Sequence, residues 1–181
     1  ANVTARADRV VERALFARQA GAGALLVSPA LAGFDVMRQL ADDDRVGLPI
    51  ISHPTLSGCF VPGPESGFSH TVYYGQLHRL AGADASIFVN TGGRFPVSRE
   101  ECEGARDGCR DGLGHLKPIF PVPGGGMTFE RLSDLREMYG HEVIYLMGAG
   151  LHLAGDDLAE NIRQLRQRVA ASPVDPPHHA P

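Results

Sequence analysis

Two stretches near the end of the chain decide the fold: Pro118-Ile119-Phe120-Pro121-Val122-Pro123-Gly124-Gly125-Gly126-Met127 and Val143-Ile144-Tyr145-Leu146-Met147-Gly148-Ala149-Gly150. Each is a short apolar run without polar alternation, as buried parallel strands are, and each contains a glycine cluster at its end. Glycine leaves backbone N–H groups uncovered by a Cβ, so an anion can approach the main chain closely. In a (β/α)8 barrel, the loops after strands seven and eight commonly hold a phosphate in this way.

The pairing of the two clusters favours a phosphate site over simple turns. For one glycine cluster alone, a tight turn is the better interpretation. Two clusters, one strand–helix unit apart and both at the carboxyl ends of predicted strands, indicate a shared anion site instead. The predicted phosphate-binding residues are Gly124, Gly125, Gly126, Gly148, Ala149 and Gly150.

The rest of the chain shows the same strand–helix alternation. Apolar runs predict further strands at 1–5, 24–28, 48–52 and 85–89. Six strand–helix units in strict order predict an α/β fold with a parallel sheet. We expect residues 1–171 to form the C-terminal part of a (β/α)8 TIM-type barrel with six of its eight units, followed by a flexible Pro-rich tail at 172–181. The alternative is an open doubly wound sheet, which usually carries its glycine-rich loop after the first strand.

Composition narrows the class of protein. The 181 residues are 43% hydrophobic and 21% charged, enough for one globular domain with a core. A net charge of −4 without a basic block argues against nucleic-acid binding, and no run reaches the ~20 apolar residues of a membrane helix. Three cysteines without metal-type pairing fit a reducing cytoplasm. Because the chain begins inside a predicted strand, we expect further residues to precede Ala1.

Two side chains that follow predicted strands are candidates for chemistry. His53 ends the strand predicted at 48–52 and precedes a long Gly/Pro-rich loop, so it could act as a general acid/base or hydrogen-bond a substrate oxygen. The alternative for His53 is a structural role. Arg94, in the loop after 85–89, suits a bidentate contact with a phosphate or carboxylate, and a surface cation is an equal alternative.

The other titratable residues indicate no site. His70 and His78 lie on a predicted helix and are interpreted as surface residues. No set of carboxylates gathers at the predicted strand ends, so we predict no metal ligands within this chain. The G-x-S-x-G motif of many hydrolases is also missing.

The order of these pieces resembles the C-terminal barrel of the RuBisCO large-chain superfamily. Asn2-Val3-Thr4-Ala5 resembles the third strand of that barrel, and the resemblance adds Asn2 to the predicted substrate-binding residues. Ile51-Ser52-His53 is similar to the segment that carries the strand-five histidine. The two glycine stretches are similar to the phosphate loops after strands seven and eight.

The sequence differs from the carboxylases at several positions, and in these differences it resembles the RuBisCO-like proteins of the form IV type. Pro54 and Gly124 stand where carboxylases have an arginine and a serine, and Arg94 is the nearest cation to the place of their mobile-loop lysine. The strand predicted at 85–89 lacks their histidines. The resemblance therefore implies Mg²⁺-dependent enolisation, isomerisation or decarboxylation of a phosphorylated keto-sugar, and not carboxylation.

Two functions fit the sequence. In the first, the protein removes a proton beside the ketone of a phosphorylated sugar and Mg²⁺ stabilises the enediolate. His53 would then be catalytic, the glycine clusters would hold one phosphate, and Arg94 would bind a second anionic group. The resemblance implies a homodimer whose Mg²⁺ ligands and N-terminal domain lie outside the matched segments. In the second, the chain is a truncated, non-catalytic barrel that binds phosphate or serves assembly.

Overall fold

The parallel α/β fold is confirmed by the structure, a computed structural model that describes residues 1–63 and 65–170. The tail predicted at 172–181 lies outside the described residues. Four parallel strands form one sheet: β1 Leu25–Val27, β2 Ile50–Ser52, β3 Ala85–Val89 and β4 Phe120–Gly124. Strands that are neighbours in the sheet are also neighbours in sequence.

Four strands and two flanking segments stand where six strands are predicted. At one edge Asn2 forms a single parallel bridge to Leu26, and at the other edge Leu146 forms one to Gly124. The end segments have a neighbour on one side only, and each pairs too briefly to form a strand. The six segments nevertheless cross the sheet in sequence order, without the reversal that a doubly wound sheet shows.

Helices connect the strands and cover one side of the sheet. They are α1 Val10–Gln19, α2 Pro29–Ala32, α3 Phe34–Asp42, α4 His78–Leu80, α5 Arg99–Arg110, α6 Leu132–Tyr139, α7 Ala149–Leu153 and α8 Leu158–Ala170. A 3₁₀ turn spans Ser57–Cys59, and a π-helix, Thr71–Leu77, runs directly into α4. None of the described helices is long and apolar enough to cross a membrane.

The two faces of the sheet differ in how far they are covered. Leu25, Val27, Ile50 and Phe88 point to one face and pack against the helices in the core. The register places a second apolar set on the opposite face: Leu26, Ile51, Ala85, Ile87 and Val122. Phe120, which shares that second face, is 51% exposed. The described residues therefore leave this second face partly open.

His78 is fully buried between the sheet and the helices, so its interpretation as a surface residue is wrong. Its Nδ1 lies 2.8 Å from the Oγ of Ser52 in β2 and 2.8 Å from the Oγ of Ser86 in β3. The π-helix that precedes His78 shifts the side chains from the positions that a 3.6-residue period assigns to them. Burial lowers the pKa of His78 from its usual 6.5 to about 3, so the ring is neutral where it joins two strands to α4.

We expect the buried neutral His78 to make stability depend on pH. Below pH 6.5 the unfolded chain binds a proton at His78 that the folded protein does not bind until about pH 3. The free energy of unfolding should therefore fall by about 1.4 kcal/mol for each pH unit below 6.5, and this contribution should be complete above that pH. Urea titrations from pH 5 to 7.5 measure the slope. The His78→Gln variant should lose it, and an equal slope in that variant would assign the effect to other groups.

The π-helix crosses α5 at a contact that only glycine permits. A Cβ added to Gly108 would lie 2.2 Å from the carbonyl oxygen of Thr71, and one added to Gly75 would lie 2.2 Å from the carbonyl carbon of Gly108. The two backbones therefore touch directly, which fixes the depth at which the π-helix lies against the sheet.

A methyl group at this crossing should destabilise the fold. We expect Gly108→Ala to lower the free energy of unfolding by about 1–3 kcal/mol, although alanine favours a helix more than glycine does. Gly112→Ala is the matched control, because a Cβ at Gly112 meets nothing within 4 Å. Chemical denaturation of both variants tests the contact, and equal stabilities would show that the helices can move apart at no cost.

Candidate functional site

A cleft of about 670 Å³ opens at the carboxyl ends of β2 and β3 and contains both predicted side chains. His53 is the first residue after β2, and Arg94 lies in the loop after β3. The same cleft is lined by Tyr74 of the π-helix and by Glu101 of α5. The structure therefore brings together two residues that are 41 positions apart in the sequence.

The ring of His53 is held by the turn that follows it. The backbone N–H of Thr55 donates to Nδ1 of His53 at 3.2 Å, and the Oγ1 of Thr55 lies 2.7 Å from the same nitrogen. Because Nδ1 accepts a backbone hydrogen bond, the neutral ring carries its proton on Nε2. His53 is only half-buried, so this Nε2–H is a hydrogen-bond donor available to a molecule in the cleft.

Arg94 is exposed and has no carboxylate partner among the residues that the structure describes. Its guanidinium carbon lies 4.7 Å from the ring centroid of Phe95, a cation–π contact within its own loop. Both Arg94 and Phe95 line the cleft, so the charge and the ring stand side by side at its wall.

His70, which the sequence predicts to be a surface residue, also lines the cleft, so that prediction is wrong. It is partly buried, and its Nδ1 lies 3.7 Å from the Oε1 of Glu101. Burial lowers the pKa of His70, and the charge of Glu101 partly opposes that shift. The cleft is therefore lined by two imidazoles, that of His53 after a strand end and that of His70, which directly precedes the π-helix.

The two glycine clusters lie against each other. Gly124 pairs with Leu146 in a parallel bridge, and a Cβ added to Gly150 would lie 2.0 Å from the carbonyl oxygen of Met127. Within the described part of the chain, no backbone or side-chain acceptor takes a hydrogen bond from the N–H groups of Gly125, Gly126, Ala149 and Gly150. The clusters thus form one backbone surface with free donors, as the phosphate prediction requires.

The glycine surface is joined to the loop of Arg94 by close backbone contact. A Cβ added to Gly126 would lie 2.6 Å from the carbonyl carbon of Gly92 and 2.6 Å from the nitrogen of Gly93. Gly126 also has a φ of +62°, which favours glycine. The loops after β3 and β4 therefore pack backbone against backbone, and Arg94 follows directly on this contact.

Two side chains that the sequence did not single out hold these loops. Asn90 is fully buried just after β3; it donates to the carbonyl oxygen of Gly125 at 3.2 Å and accepts from the hydroxyl of Tyr139 at 2.6 Å. Arg131 donates to the carbonyl oxygens of Thr91 and Gly126, both at 2.8 Å. Their only sequence signal is a polar residue at a strand end and an arginine near a glycine loop, which are common features.

Asn2 stands apart from the other predicted residues. Its Oδ1 accepts from the backbone N–H of Thr4 at 3.0 Å, and the residue is exposed. By register it lies level with Ala85 and Phe120, the first residues of β3 and β4, whereas the glycine loops follow the last. Its role in substrate binding stays a prediction.

The described residues do not fit a Mg²⁺ site. Over 1–63 and 65–170, no group of three or more His, Cys, Asp or Glu side chains is placed to hold a metal ion. The carboxylates near the cleft serve other contacts: one Glu101 oxygen accepts from the Ser98 N–H in the capping box that begins α5.

Comparison with known proteins places the chain among relatives of one kind. It is 34% identical over 171 residues to a ribulose bisphosphate carboxylase-like protein of Archaeoglobus fulgidus, covering 94% of this chain and 39% of that protein. It is 36% identical over 152 residues to a 2,3-diketo-5-methylthiopentyl-1-phosphate enolase of Bacillus velezensis, covering 83% of this chain and 37% of the enzyme. No protein-family model matches.

The solved structures agree with the sequence relatives. A rubisco-like protein from Alicyclobacillus acidocaldarius superposes with a TM-score of 0.85 at 32% identity, over 94% of this chain and 43% of that one. The chain belongs to the RuBisCO large-chain superfamily. It spans about two fifths of the length of the superfamily relatives that it matches. The resemblance found from the residues alone is thereby confirmed.

Proposed function

We propose that this chain supplies the phosphate-binding and histidine-bearing part of a RuBisCO-like enolase. Its substrate would be a phosphorylated ketone, from which a proton beside the carbonyl is removed to give an enediolate. The observation that carries the proposal is the single backbone surface made by the two glycine clusters, since its N–H groups are free of protein acceptors among the described residues. Relatives named as enolases of a diketo-pentyl phosphate support the substrate class.

The proposed architecture is part of a (β/α)8 barrel. Six segments lie side by side in sequence order, helices cover one face, and the other face carries apolar side chains that are partly open. In a closed barrel, that second face would be the interior and would be filled by side chains from alternate strands. The homodimer implied by the resemblance and the cytoplasmic location indicated by the three unpaired cysteines are part of the same proposal.

His53 is proposed as a hydrogen-bond donor to the oxygen on which charge develops. Its Nδ1 already accepts from Thr55, which leaves Nε2–H as the free donor of a ring that lines the cleft. A donor placed at a developing oxyanion stabilises the transition state more than the ground state, because the charge on the oxygen grows along the reaction. Arg94, without a carboxylate partner in the described part of the chain, would bind a second anionic or strongly polar group of the substrate.

A phosphate-binding module without catalysis is the second candidate. The observation that favours it is the lack of a metal-ligand cluster among the described residues, since enolisation in this superfamily is expected to need Mg²⁺. The ligands would then have to come from chain beyond the matched segments. Binding of a phosphorylated ketone without turnover, in the presence of Mg²⁺, would favour this second candidate.

Gly148 offers a sharp test of the phosphate site. Its φ is −101°, outside the left-handed region that favours glycine, and an added Cβ meets nothing within 4 Å, so a side chain can be attached there without a clash at its Cβ. We expect Gly148→Leu to weaken binding of 2,3-diketo-5-methylthiopentyl-1-phosphate by about 10-fold to 100-fold, the loss of one or two charge-assisted hydrogen bonds. Calorimetry with the phosphorylated and dephosphorylated ligands measures this effect.

The matched control for the phosphate test is Gly112→Leu, because Gly112 is also exposed and open but precedes β4, whereas the glycine cluster follows the carboxyl end of that strand. The dephosphorylated ligand should bind both variants alike. Equal weakening of the two ligands by Gly148→Leu would mean that the loop shapes the cleft and does not contact the phosphate.

His53→Asn tests the proposed donor. The Oδ1 of asparagine can still accept from the Thr55 N–H, so the turn should be kept while Nε2 is lost. We expect turnover to fall by about 10²–10³-fold, as for the loss of one donor to an oxyanion, with the melting temperature nearly unchanged. Steady-state kinetics and thermal melts on the same preparation measure both. Normal turnover with a large loss of stability would make His53 a structural residue.

A further inference from the structure

We propose that Tyr74 and Ser57 are positioning residues that hold His53 in its Nε2–H tautomer through a chain of four hydrogen bonds. This inference rests on the proposed function in one respect, namely that His53 works as a donor in the cleft. These hydrogen bonds are a property of the fold, and their effect on the tautomer of His53 can be measured without a substrate.

The direction of the first two hydrogen bonds follows from the number of hydrogens. The hydroxyl of Ser57 donates to the carbonyl oxygen of Pro54 at 2.7 Å, which uses its single hydrogen. The Oη of Tyr74 lies 2.8 Å from the same Ser57 oxygen. Since Ser57 has no second hydrogen to give, Tyr74 is the donor. The hydroxyl of Ser57 is thereby fixed with its hydrogen toward Pro54.

One rigid peptide unit connects this pair to the histidine. The carbonyl of Pro54 and the N–H of Thr55 belong to the same peptide plane and point to opposite sides of it. The carbonyl accepts from Ser57 twice, from the hydroxyl at 2.7 Å and from the backbone N–H at 3.1 Å. The N–H on the other side donates to Nδ1 of His53. Holding the carbonyl therefore aims the N–H at the imidazole.

The turn needs this support because its backbone is strained. Leu56 has a φ of 67°, the single positive φ of a non-glycine residue in the described part of the chain. The free energy that this conformation costs is similar in size to the contribution of the hydrogen bonds that maintain it. Tyr74 and Ser57 are 2% and 4% exposed, so water does not compete for their hydroxyls.

The hydroxyl of Tyr74 is itself placed by packing. Its ring contacts Tyr73, His78 and Phe88 at centroid distances of 5.1, 5.9 and 6.0 Å. Burial raises the pKa of Tyr74, so its hydroxyl keeps its proton and remains a donor at neutral pH. The π-helix carries both tyrosines, yet only Tyr74 reaches the turn: the hydroxyl of Tyr73 has no partner among the described residues.

The test compares Tyr74→Phe and Ser57→Ala with Tyr73→Phe as the matched control. Proton–nitrogen correlation spectra of the imidazole report which nitrogen of His53 carries the proton. We expect the wild type and Tyr73→Phe to show the Nε2–H form, and both Tyr74→Phe and Ser57→Ala to show a mixture of the two tautomers. A tautomer population in Tyr74→Phe and Ser57→Ala equal to that of the wild type would overturn the proposal.

A kinetic measurement separates positioning from general stability. With 2,3-diketo-5-methylthiopentyl-1-phosphate as the probe, we expect Tyr74→Phe to lower kcat roughly 10-fold per folded molecule while KM is unchanged, since misplacing a donor affects the transition state most. If kcat is unchanged although the tautomer has changed, the positioning role proposed for Tyr74 and Ser57 would also be overturned. Absence of turnover in a wild-type protein that combines this chain with the metal-ligand segment would instead refute the proposed function, and the spectra would still decide whether Tyr74 and Ser57 hold His53.

Discussion

Close backbone contact between loops is the constraint on which the site depends. Gly126 lies against Gly92 and Gly93, and Gly150 lies against the carbonyl of Met127, at distances that exclude any Cβ. These contacts join three consecutive loops at the carboxyl edge of the sheet into one surface. Asn90 and Arg131 then bind the carbonyls of the same loops and leave the N–H groups of the glycines for another partner. The result is a backbone surface that side chains cannot cover, and this is the surface proposed to bind phosphate.

A second contact of the same kind sets the helix layer. Where the π-helix meets α5, Gly75 and Gly108 bring two backbones together. The depth of this crossing decides how far Tyr74 and His78 reach toward the sheet. His78 then lies between Ser52 and Ser86 of neighbouring strands, and Tyr74 reaches the turn after β2. The helix packing and the cleft thus share one irregular helical segment, which carries both Tyr74 and His78.

Much of the candidate site could be read from local patterns. Apolar runs followed by glycines identified the loops, and position after a predicted strand identified His53 and Arg94, which share one cleft. The prediction of surface positions failed for His70, which lines the cleft, and for His78, where the geometry of the preceding helix is the reason. A helical period assumes 3.6 residues per turn, whereas the segment from Thr71 to Leu77 is a π-helix with a longer turn. The segments predicted as strands at the two ends form only single bridges, because an edge segment pairs on one side only.

The parallel α/β fold, the order of its units, the glycine clusters and the family could be predicted from the amino-acid sequence, because these depend on patterns that run along the chain. Which side chains meet could be seen only in the folded protein: Asn90 with Tyr139, Arg131 with two loops, and Tyr74 with Ser57. These partners are distant in sequence, and each is a common residue in an ordinary position. Their pairing follows from how deeply the helices and loops pack, which in this chain is set by contacts between glycines.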